Sequence, residues 1–140
     1  MSAETTHTPL EALEAFEAGA FRVSQVMRRL LAENPGLPVF YFRPLVQVTA
    51  WLDDQPAETK LALRFSARTV DGVRDWAAAL NVEATTEVVD WGVNERTLNE
   101  RAELITTVDG VSLEITGSRE LSAEEAAAWH AEQNQAGGGQ

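Results

Sequence analysis

Cysteine is absent from the 140-residue chain, so disulfides, thiol nucleophiles, Fe–S clusters and Cys-ligated zinc are excluded together. Stability must then come from packing, and a single domain of this length buries roughly two-thirds of its unfolded surface, enough to fold without staples. The lack of cysteine also fits a reducing compartment. The opening MSAETTHTPLEALEAFE has no basic leader and no unbroken apolar run. The expectation is a cytoplasmic protein with no membrane contact.

Other scarcities are equally selective. Lys60 is the only lysine beside ten arginines, a bias that, with plentiful Ala, Val and Glu, suggests a GC-rich bacterial genome. Histidine occurs twice, His7 in the lead and His130 near Glu125 and Glu132, with no spacing that would make a metal site. No phosphate-cradling glycine pattern and no nucleophile elbow is present. No cofactor is therefore expected.

Acidic residues dominate, and they do so unevenly. The net charge of −11 divides into −2 over residues 1–40, zero over 41–81 and −9 over 82–140. Phosphate-backbone binding needs a basic stripe, which this distribution lacks, so direct nucleic-acid binding is not expected. Closely spaced carboxylates have ordinary explanations. Asp53 and Asp54 form a turn, and Glu124 and Glu125 sit where a helix start favours negative charge. Glu100 is the exception, because strand alternation sends it toward the core side, where it needs a cation or a place beyond the core's edge.

The remaining residues pattern into eight elements. Residues 1–8 read as a disordered lead, 9–134 as one α+β domain and 135–140 as a flexible tail. Thr8 caps a helix with Pro9 at its first position, and NPG at Asn34–Gly36 ends it. Leu13, Phe16, Ala20, Val23, Met27 and Leu30 form its apolar stripe, leaving Leu10 and Phe21 off that stripe. Two strands follow, joined at DDQP, with Val48 expected opposite Leu61 and Val46 opposite Leu63. Their inward face is Val46, Val48, Ala50, Leu61, Leu63 and Phe65. A second helix begins at Thr69 and ends at Asn81, with Val70, Val73, Trp76, Ala77 and Leu80 on one face.

Three strands then cover about 82–91, 98–108 and 111–118. Asp109-Gly110 joins the last two as a two-residue hairpin, placing Val108, Thr106, Leu104 and Ala102 opposite Val111, Leu113, Ile115 and Gly117. A capping box of Ser122 and Glu125, with a staple from Leu121 to Ala126, starts a final alanine-rich helix bearing Trp129. The order α-β-β-α-β-β-β-α predicts a mostly antiparallel five-stranded sheet with helices packed on one face.

Two groups of residues are candidates for recognition. Leu10, Phe21, Trp51, Trp91 and Trp129 are apolar side chains without an assured core position, and so candidate interface residues. Arg43, Lys60, Arg64 and Arg68 share the solvated face of the first hairpin and form a candidate anion-binding face. A cationic hairpin at one end of the sheet and an acidic one at the other would also be complementary between two copies.

The residues favour a non-enzymatic interaction or adaptor protein, homodimeric and working through a protein partner. A sharper form is a nucleic-acid-mimicking inhibitor from a mobile element, using the −9 segment. Two alternatives are a small-molecule binding or sensing domain with a pocket between sheet and first helix, and a small enzyme using Glu100 or Glu87 in acid–base chemistry.

Overall fold

Thr8 accepts a hydrogen bond from the Glu11 N–H at 3.1 Å, and Pro9 opens helix α1, Pro9–Glu33. The computed structural model describes residues 8–50, 58–90 and 98–137. Strands β1 (Tyr41–Thr49) and β2 (Glu58–Arg68) lead into α2 (Val70–Leu80), which is followed by β3 (Thr85–Val89), β4 (Asn99–Val108), β5 (Val111–Glu120) and α3 (Ala123–Gly137). The α+β order and the five-stranded sheet match the sequence reading. The strand expected over 82–91 is shorter, and the helix α3 continues through Gln135–Gly137, which the sequence reading assigned to the tail.

The sheet order is β1-β2-β5-β4-β3, with β1 and β3 at its edges. Three of the four pairings are antiparallel, and β2 runs parallel to β5. Asp109 and Gly110 take φ of 49° and 80°, the positive values a two-residue hairpin turn demands. The β4–β5 register follows from that turn: Val108 opposes Val111, Leu104 opposes Ile115 and Ala102 opposes Gly117.

The β1–β2 register differs from the sequence reading by two residues. Val46 opposes Leu61, Val48 opposes Thr59 and Pro44 opposes Leu63. The pairing among the described residues runs to Thr49 with Glu58, and the DDQP turn lies outside the described residues. Because strand side chains alternate with period two, an even shift leaves every residue on its expected face.

Helices α1 and α2 cover the same face of the sheet. Trp76 is fully buried, stacks edge-on against Phe65 at 5.0 Å, and donates its indole N–H to the Pro38 carbonyl at 2.8 Å. Around it lie Val70, Val73, Leu63, Leu104, Leu113 and Ile115, all essentially inaccessible. Helix α2 ends at Asn81, whose φ of 58° reverses the chain and lets its N–H reach the Ala77 and Ala78 carbonyls. Among the described residues, helix α3 contributes no buried side chain; Ala126 and Trp129 are half-buried, as is Leu121 just before it.

Helix α1 is rotated from its expected setting. Its core side is Ala12, Ala15, Gly19, Val23, Val26, Met27 and Leu30, while Leu13, Phe16 and Ala20 are exposed. The cause lies at Gly19, where an added Cβ would sit 2.8 Å from Leu61 Cδ2 and 3.0 Å from Val46 Cγ1. A helix approaches the sheet most closely along its smallest side chains, and the bulky ones turn aside. Arg29 holds this setting from the other flank with a 2.6 Å ion pair to Asp109.

Candidate functional site

The displaced stripe of α1 overhangs edge strand β1, and between them runs a groove of about 620 Å³. From the helix, Phe16, Ala20, Met27 and Leu31 line it; from the sheet, Phe42, Pro44 and Val46 do so. Ser24 and Arg28 are its polar edge. Among the described residues, nine large apolar side chains are exposed, and eight belong to α1 or to Phe40–Phe42. Leu13, Phe16 and Leu31 are 52%, 46% and 42% exposed, and Phe42 is 54% exposed. Scattered exposed apolar residues are normal in soluble proteins, but a contiguous patch marks a contact surface.

The candidate interface residues divide. Leu10 and Phe21 are 63% and 65% exposed on α1, on the flank of the groove stripe. Trp129 is half-buried on α3, edge-on to His130 at 5.2 Å, away from that groove. Trp51 and Trp91 lie outside the described residues. Sequence reasoning did not single out Phe40, Tyr41, Phe42, Pro44 or Leu31. A signal existed: three consecutive aromatics cannot all face a core from a strand of period two.

Arg43, Lys60, Arg64 and Arg68 are all exposed, on the sheet face opposite the helices. Arg43 stands directly across from Arg64, an unfavourable placement for like charges. Arg64 approaches Glu114 at 3.8 Å, and Arg68 lies over the Phe40 ring at 5.1 Å. A shallow depression of about 200 Å³ brings Arg43 and Arg64 together with Arg101, Glu114 and Thr116. Arg101 is taken up by Glu103 at 3.2 Å and Glu87 at 3.9 Å. Arg43, Arg64 and Arg101 therefore converge on this depression, with Arg64 and Arg101 each within reach of a carboxylate, while Lys60 and Arg68 lie outside it.

Acidic residues of the C-terminal half are similarly engaged. Glu87, Glu100, Glu103, Asp109, Glu114 and Glu125 each lie within ion-pair distance of an arginine. Glu100, whose inward phase needed a cation, accepts from Arg119 Nε at 2.7 Å and is 19% exposed. Arg119 also grips Glu125 through two nitrogens at 3.0 and 2.8 Å. Glu125 reaches back to the Ser122 N–H at 2.9 Å while Ser122 Oγ accepts from the Glu125 N–H, closing the capping box. The Arg119 hydrogen bonds, then the Ser122 N–H, hold the Glu125 carboxyl down at about 2, and the same bonds raise Arg119. This cluster fastens α3 to the sheet end.

Among the described residues, no group of three histidines, cysteines or carboxylates is placed to hold a metal ion. Nor is any helix there long and apolar enough to cross a membrane. No known protein family matches the chain, and no curated protein is significantly similar to it.

Proposed function

We propose that this is a non-enzymatic interaction protein whose working surface is the apolar groove between α1 and β1, and that its occupant is an apolar face of a protein. The observation that carries this reading is the concentration of exposed large apolar side chains, among the described residues, on α1 and at the start of β1, with Phe16, Leu31 and Phe42 lining the groove itself. Burying it is worth roughly 25 cal/mol per Å² of apolar area, so a complementary protein face would be held chiefly by the hydrophobic effect. Pro44 on the edge strand removes a backbone donor, which disfavours strand addition and leaves side-chain packing as the mode of contact.

Competing readings fit less well. The groove's volume lies in the range of small-molecule sites, but such sites present convergent polar groups that fix a ligand, and here only Ser24 and Arg28 stand at the rim. Nucleic-acid mimicry needs a track of free negative charge, whereas six carboxylates of the acidic half are spent on arginines. Glu100 and Glu87 are both engaged by arginines, which leaves carboxylate catalysis without a free acid–base pair.

The test is site-specific photocrosslinking in cells producing the full chain. A photoreactive residue at Phe16 or Phe42 should give a discrete protein adduct, and one at Thr107 on the open sheet face should not. Equal labelling from both faces, or none from the groove, would overturn the proposal.

A further inference from the structure

Taking the groove as a protein-docking surface, we infer that its occupant is a second copy of this chain, with the two α1 helices packed antiparallel about a two-fold axis beside Ala20 and Ser24. The outward stripe of α1 has the spacing for a helix partner: Leu13 and Ala20, with Met27 at the buried edge of the groove, recur at seven-residue intervals, as do the exposed Glu17, Ser24 and Leu31. A seven-residue repeat keeps one seam of a helix facing another.

The stripe is also complementary to itself. A two-fold contact requires that if one residue meets another, the reverse contact is made as well. Antiparallel pairing centred between Ala20 and Ser24 sets Leu13 against the second copy's Leu31 and Ala20 against its Ser24. Large side chains then close both ends, and small ones let the helices approach at the crossing. Phe21, on the flank, falls next to its own counterpart near the axis.

Charge selects the same arrangement. Glu11, Glu14 and Glu17 lie in the first half of α1, and Arg22, Arg28 and Arg29 in the second. Arg22 and Arg29 point to the Asp109 turn. Glu17 and Arg28 flank the groove side instead, are exposed, and form no ion pair among the described residues. In the antiparallel pair each Glu17 comes opposite the other copy's Arg28, twice over. A parallel pair would set Glu17 against Glu17.

Sedimentation across a dilution series tests this, with thermal unfolding confirming that each variant folds. Dimer is expected at micromolar concentration. Ala20→Arg, at an exposed position on the crossing, should leave only monomer. Glu17→Arg and Arg28→Glu should each weaken association roughly tenfold, and the double swap should recover most of the loss. Ile105→Ser on the open face should change nothing. A monomer at high micromolar concentration overturns the inference, as does a dimer that Ala20→Arg leaves intact or a double swap no better than the single ones. If that monomer still crosslinks a different protein through Phe16, the docking surface stands and only this occupant falls; if it crosslinks nothing, both fall.

Discussion

Helices α1 and α2 lie on the same face of one sheet, and they meet it differently. Helix α2 places its largest residue, Trp76, at the centre of the core and leaves no large apolar side chain exposed. Helix α1, more than twice as long, meets the sheet along Ala12, Ala15, Gly19, Val23, Val26 and Leu30 and turns Leu13, Phe16, Phe21 and Leu31 away. The difference separates two uses of the same amphipathic principle. One helix spends its apolar face on folding, and the other keeps a second apolar face in reserve.

That contrast can be broken from either side. Trp76→Ala removes a fully buried indole, its edge contact with Phe65 and its hydrogen bond to Pro38, and should cost about 3–5 kcal/mol in chemical unfolding. Gly19→Val forces branched carbons into space already filled by Leu61 and Val46, which should cost about 1–3 kcal/mol as α1 is pushed off the sheet. Phe16→Ser, an aromatic removed from the same helix one turn earlier, should move monomer stability by no more than about 0.5 kcal/mol. A loss comparable to Trp76→Ala would mean that Phe16 belongs to the core, and the contrast would collapse.

How much of this was readable beforehand follows the range of each interaction. Helix starts at Thr8 and Thr69, the stop at Asn81 and the Asp109-Gly110 turn are local chemistry, and each stands where the residues indicated. Strand faces were legible too, since alternation survives even a two-residue slip between β1 and β2. The setting of α1 was not, because periodicity weights Leu13 and Phe16 and gives almost no weight to Ala12, Ala15 and Gly19. Close packing reverses that weighting. The parallel β2–β5 pairing joins segments about 50 residues apart, a partnership no local pattern encodes. The groove itself is not legible in the pattern: Leu10 and Phe21, apolar residues off the stripe, lie only on its flank, while periodicity assigns Phe16 and Ala20 on its helix wall to the core, and Phe42 and Pro44 on the other wall read as ordinary strand residues.

The smallest expected effect lies at the far end of the sheet, where α3 has neither of the other helices' advantages. With no buried side chain among the described residues, it depends on Arg119 reaching Glu125 and on the Ser122 cap. Glu125 titrates at about 2, below its ordinary 4.5, because Arg119 and the Ser122 N–H bind its ionised form. A carboxyl depressed by folding contributes stability that is fully present above its unfolded value and fades as pH falls toward the folded one. Attachment of α3 should therefore weaken between about pH 4.5 and 2 while α1 and α2 hold. Carbon-detected NMR titration should place the Glu125 midpoint near 2, and Arg119→Gln should return it toward 4.5. An unchanged midpoint in that variant would transfer the hold on α3 from the arginine to the cap, and α3 would then differ from the other helices only in what it leaves exposed.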